Sequence, residues 1–63
     1  MNKEQLIKMD AYMLLSIVNM KLRNEFTSLE AFCDDFDLEV EIITEKLNQI
    51  GYIYDKDLNQ FVG

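Results

Sequence analysis

A chain of 63 residues has room for one domain and one small core, burying only about 60% of the surface it exposes when unfolded. Its 49% apolar residues argue against a disordered tail, and one cysteine with no histidine excludes a disulfide staple or the full tetrahedral ligand set of a structural zinc. Twelve acids against six bases give a net charge of −6, which repels nucleic acid and anionic lipid at long range.

The chain has no proline and only two glycines, Gly51 and Gly63, so its punctuation must be read from caps. Residues 1–9 are expected to form an N-terminal segment in which Asn2, with Gln5 after it, opens a short helix around Leu6 and Ile7. Residues 10–63 are expected to form a single domain. Asp10 caps a helix beginning at Ala11, with Met9 and Leu14 at the positions of a hydrophobic staple. Ala11, Leu14, Leu15, Val18 and Leu22 recur at helical spacing as one apolar face, and Met13, Ile17 and Met20 form a second stripe. A narrow polar stripe of Tyr12, Ser16, Asn19 and Arg23 lies between them. A helix apolar over most of its circumference is either central to its own fold or shared with a partner.

Thr27 and Glu30 have capping-box spacing and predict a second helix over residues 28–35, with Leu29, Phe32 and Cys33 inward and Phe36 closing it. Asp37 is expected to cap a third helix, with Glu39 and Glu41 near its positive end. Val40, Ile43, Leu47 and Ile50 give that helix an inward face, Leu38 plugs the corner before it, and Gly51 suits a left-handed stop. Tyr52-Ile53-Tyr54 and Gln60-Phe61-Val62 then read as strands around the polar turn from Asp55 to Asn59. A lone hairpin is marginal in water and must pack on a helix, here through Phe61 and one of the tyrosines. The predicted fold is mainly α: a three-helix, helix-turn-helix-like domain with a C-terminal two-stranded β-hairpin, a miniature winged helix.

The segments Met13-Leu14-Leu15-Ser16-Ile17-Val18-Asn19, Leu22-Arg23-Asn24-Glu25-Phe26, Ile50-Gly51-Tyr52-Ile53-Tyr54 and Leu58-Asn59-Gln60-Phe61 resemble a family of short bacterial proteins, domain of unknown function 4250. The resemblance covers Asp10 to Val62, and the run LLSxVNxxLR is its most specific part. One departure is Ala11, where such sequences often carry a proline soon after the aspartate. The resemblance implies a bacterial source and a small intracellular domain. It brings no activity and no site residues.

Chemistry is mostly excluded. Without histidine no Ser-His-Asp or Cys-His pair can activate a nucleophile, and without a glycine-rich loop neither the P-loop nor the dinucleotide fingerprint is possible. Carboxylate pairs need a cleft for acid–base work, and a chain of this size has little volume for one unless association creates it. No enzyme, cofactor or metal is expected. Cys33 occupies the slot where helix-turn-helix proteins place a small buried residue, so it reads as a core hydrophobe before it reads as a reactive thiol. Asp55, Asp57 and Asn59 match the opening ligands of a calcium loop, yet Gln60 stands where that loop needs glycine and the chain ends before the bidentate glutamate.

DNA binding has the architecture in its favour and the charge against it. The third helix turns Glu39, Glu41, Thr44, Glu45, Asn48 and Gln49 outward, and Asp55-Lys56-Asp57 makes the wing's turn acidic, whereas phosphate contact needs lysine and arginine. The expected function is therefore a small non-enzymatic protein-interaction module that self-associates as a homodimer. A DNA-binding winged-helix transcriptional regulator is the alternative. Tyr12, Met13, Ile17, Asn19, Met20 and Arg23 are the candidate interface, because methionine adapts to varied partner shapes and aromatic and guanidinium groups anchor interfaces. The competing structural reading covers both stripes with the N-terminal segment and the hairpin, and pairs Arg23 with Glu25, Glu30 or Asp34. No apolar run exceeds Ala11 to Leu15, far short of the roughly 20 residues that span a bilayer. An unpaired cysteine and no recognisable export signal point to the cytoplasm.

Overall fold

The computed structural model describes residues 1–63. Four helices, α1 (Lys3–Lys8), α2 (Ala11–Asn24), α3 (Leu29–Asp35) and α4 (Val40–Asn48), precede strands β1 (Ile53–Asp55) and β2 (Gln60–Val62). The fold is thus mainly helical with a C-terminal antiparallel hairpin.

α1 exists because its first turn is doubly capped. Asn2 Oδ1 accepts from the Gln5 N–H at 2.9 Å, and Gln5 Oε1 accepts from the Asn2 N–H at 3.0 Å. Leu6 is wholly buried in the common core, so this short helix shares one core with residues 10–63. Lys46 Nζ also holds it by donating to the Ile7 carbonyl at 2.9 Å. At the start of α2, Asp10 Oδ2 accepts from the N–H groups of Tyr12 and Met13 at 3.0 and 3.2 Å, and half-buried Met9 packs on the core as the staple requires.

Two caps differ from expectation. α3 is capped by Ser28, whose Oγ accepts from the Ala31 N–H at 3.0 Å, and not by Thr27. Ser28 has the extended backbone, φ −157° and ψ 161°, that aims a hydroxyl at the third helical N–H. The second difference is Asp37, which caps nothing. It takes a left-handed φ of 57° and closes α3 in a Schellman motif: its N–H donates to the Asp34 carbonyl at 3.1 Å, and the Leu38 N–H donates to the Cys33 carbonyl at 2.8 Å. That motif drives Leu38 into the core as the expected plug. α4 then starts after Glu39, which makes no side-chain capping bond.

The end of α4 repeats the device with the residue best suited to it. Gly51 has φ +86°, its N–H donates to the Asn48 carbonyl at 3.0 Å, and the Tyr52 N–H donates to the Leu47 carbonyl at 3.0 Å. The chain thus turns directly into β1. Ile53 pairs with Val62, Tyr54 with Phe61 and Asp55 with Gln60. In the turn, Asp55 Oδ1 accepts from the N–H groups of Asp57 and Leu58 at 2.9 and 3.2 Å, an Asx turn.

Eleven buried residues, all apolar, form the core: Leu6, Leu14, Val18, Leu22, Leu29, Phe32, Cys33, Leu38, Ile43, Leu47 and Phe61. Every element except β1 contributes. Phe26 meets Phe32 edge-on at 5.6 Å between ring centres, and Tyr54 lies 5.4 Å from Phe61, within the range of favourable aromatic pairs.

Candidate interaction surface

α2 determines which residues face outward. Its core side is taken by Leu14, Val18 and Leu22, with Leu15 and Ile17 half-buried on the flanks. The remaining side leaves Tyr12 60%, Met13 58% and Met20 42% exposed. Of the Met13, Ile17 and Met20 stripe, the structure therefore puts the two methionines outside and packs Ile17 against the core. Arg23 is exposed on the same side and joins neither of the molecule's two ion pairs. None of the three carboxylates offered for it, Glu25, Glu30 and Asp34, pairs with it; Glu25 lies two positions away on a different side of the turn, and Lys21, four positions from Glu25, takes that carboxylate at 2.8 Å.

Asn19 is placed differently from the other candidates. Its Nδ2 donates to the Phe61 carbonyl at 3.1 Å and its Oδ1 accepts from the Phe61 N–H at 2.8 Å. The backbone groups of Phe61 therefore point away from β1, and the amide occupies the outer edge of β2 as a neighbouring strand would. Asn19 is thus committed to holding the hairpin on α2.

A second clamp went unrecognised at the level of sequence. Asn59 Nδ2 donates to the carbonyls of Leu22 and Phe26, each at 3.0 Å, while its Oδ1 accepts from Tyr54 Oη at 2.6 Å. Tyr54 Oη in turn accepts from the Leu29 N–H at 3.2 Å. Three segments, the end of α2, the start of α3 and the hairpin, meet at the Asn59–Tyr54 pair. The available signal was an asparagine just before a strand, where a left-handed φ, here 53°, is tolerated. The calcium-loop likeness fails on the same ground, since Asp55 Oδ1 is taken by its own turn and Asn59 faces inward.

Charge is strongly segregated. Residues 1–24 carry Lys3, Lys8, Lys21 and Arg23 against Glu4 and Asp10, while residues 25–63 carry ten of the twelve acids and two of the six bases. No carboxylate lies within Ala11–Asn24. On the acidic side, an open cleft of about 450 Å³ is lined by Leu29, Glu30, Glu39, Val40, Glu41 and Tyr54. Its three glutamates join neither ion pair. Cys33 is buried beneath this region; burial first, then the negative charges of Asp34 and Glu41, push its thiol up to about 11, so it is protonated at neutral pH. No helix is long and apolar enough to cross a membrane.

These features define a small helical domain with a side-chain-clamped C-terminal hairpin and one uncovered, carboxylate-free helix face. The chain belongs to the family described as domain of unknown function DUF4250, which matches residues 8–61. Neither a curated protein nor a solved structure matches it.

Proposed function

We propose that this chain is a small, non-enzymatic protein-interaction module that self-associates through the outer face of α2. The carrying observation is that Tyr12, Met13 and Met20 stand exposed on a face free of carboxylates in a molecule of net charge −6. Apolar surface clustered in this way marks contact sites, and the adjoining Arg23 supplies an anchoring group typical of interfaces. Its scaffold reads as a miniature winged helix, from the order of α2, α3, α4 and hairpin. In that reading α4 would face the DNA groove, and its exposed Glu39, Glu41 and Glu45 favour a polypeptide partner over polyanionic phosphate. The lack of histidine and a sequestered, protonated thiol support a role without covalent chemistry.

Sedimentation velocity across concentration tests the proposal on wild type, Met13→Glu and Met20→Glu. Wild type is expected to sediment as more than one chain. Each variant is expected to be monomeric with an unchanged circular dichroism spectrum, because its glutamate stands in solvent until an interface tries to bury it. A wild type still monomeric at about 1 mM, where even a 4 kcal/mol association registers, would overturn it.

A further inference from the structure

We infer that the α2 face of one copy docks into the acidic cleft between α3 and α4 of a second copy, head to tail; this rests on the self-association proposed above and names the receiving surface. The two surfaces are complementary in composition. On α2, Met20 and Arg23 lie three positions apart, so they project side by side from adjacent turns. The cleft offers Leu29, Val40 and Tyr54 as apolar lining beside Glu30, Glu39 and Glu41. A thioether placed on that lining brings the neighbouring guanidinium among carboxylates that have no partner of their own, and Arg–carboxylate pairs are the strongest of such contacts. The cleft's volume of about 450 Å³ lies within the range of sites that enclose substantial groups.

Charge also disfavours the alternative of α2 packing on α2. That symmetric contact would set one carboxylate-free face against another and leave the acidic side of both molecules in solvent. The head-to-tail contact instead sets the carboxylate-free face of one chain against the acid-rich half of the next. Because the two surfaces differ, each copy retains one unused donor face or cleft, so growth continues into chains or closes as a ring.

The test has three arms, all read by sedimentation velocity on the intact chain. Raising salt from about 0.05 M to about 0.5 M is expected to weaken wild-type association about tenfold, since opposite charges at the contact are screened. Two like-charged chains joined by apolar surface alone would tighten under the same change, and that result would overturn the inference while leaving self-association standing. In the second arm, Arg23→Glu and a Glu39→Lys/Glu41→Lys variant are each expected to lose association at least tenfold and to recover it when mixed, because in one direction the two reversed charges meet and in the other the native arginine meets the native glutamates. Circular dichroism confirms that each variant is folded. An acid-reversed variant that is folded and associates as well as wild type would overturn the docking site. In the third arm, Met13→Glu reports on the α2 face itself: its loss of association alongside an unaffected cleft variant would sink the inference alone, and a wild type that never associates would sink both.

Discussion

Replacing Asn59 by alanine removes the polar clamp between the hairpin and the helices, and the structure sets the size of the loss. Three hydrogen bonds disappear: the Nδ2 donations to Leu22 and Phe26 and the acceptance from Tyr54 Oη. The Leu22 carbonyl has no helical donor in reserve, because the Phe26 N–H that would serve it is turned to the Lys21 carbonyl at 3.0 Å. At about 1 kcal/mol for each bond, and about 1 kcal/mol more for holding alanine at a left-handed φ, the variant should lose roughly 4 kcal/mol. A domain of this length has only about 3–9 kcal/mol in total, so Asn59→Ala is expected to keep about half of its stability at most.

Urea denaturation followed by circular dichroism measures this directly. Asn59→Gly, which keeps the backbone freedom and loses the amide, should recover about 1 kcal/mol of the deficit. Tyr54→Phe should be costly by itself, since it also strips the acceptor from the Leu29 N–H. Combined with Asn59→Ala it should cost about 1 kcal/mol less than the two changes added separately. An Asn59→Ala variant within about 1 kcal/mol of wild type, or strict additivity with Tyr54→Phe, would refute the clamp.

The other expectations concern single residues. Asn19→Ala should cost about 2 kcal/mol through its two lost bonds to Phe61, and hydrogen exchange at the Phe61 amide should accelerate as the β2 edge opens. Asp10→Ala should lower stability by about 1 kcal/mol by leaving the Tyr12 and Met13 N–H groups uncapped, with the melting curve as the readout. Cys33 adds a pH dependence. Its folded pKa is raised from 9.0 to about 11, so the neutral thiol's contribution is complete below the unfolded value and is lost as pH rises from 9.0 to about 11. Two units correspond to at most about 3 kcal/mol, and the comparison with Cys33→Ala isolates that part from the titration of tyrosines and lysines.

Apolar periodicity and caps made most of the fold legible. The capping box at Asn2 and Gln5, the Asp10 cap and the Gly51 stop are local, and each depends on a few adjacent residues whose chemistry leaves little choice. Asp37 is ambiguous in sequence because aspartate serves equally as an N-cap and as a tolerated left-handed residue; the left-handed φ of 57° goes with the burial of Leu38, which follows the chain reversal at that point. Thr27 and Ser28 are adjacent hydroxyl residues that both suit an N-cap, and Leu29 and Phe32 face inward with either, so the neighbouring residues do not separate them. The hairpin clamps were illegible because they span 42 positions for Asn19 and 37 for Asn59, and nothing in an asparagine's neighbours announces such a distant backbone partner. Phase alone sets Tyr12, Met13, Met20 and Arg23 on the side of α2 away from Leu14, Val18 and Leu22, but whether another element covers them depends on where α1 and the hairpin pack. Ile17 and Asn19 lie nearer the boundary of the face, where neighbouring elements decide.

The two asparagine clamps bear on why the α2 surface is left open. A two-stranded hairpin normally depends on an apolar face pressed against a helix, and here Phe61 is the only hairpin residue that is fully buried. Tyr52 and Tyr54 pack half-buried on the core, and Asn19 and Asn59 add hydrogen bonds to backbone groups that join the hairpin to α2. The hairpin can therefore sit along one flank of α2 without drawing Met13, Met20 or Tyr12 beneath it. α1 is likewise secured by Leu6 in the core and by Lys46 on the Ile7 carbonyl, again without covering that face. Both segments that were candidates to bury the second stripe are thus held elsewhere by contacts that do not involve it. An apolar face that folding leaves uncovered, next to an unpaired arginine, is available for another chain to cover.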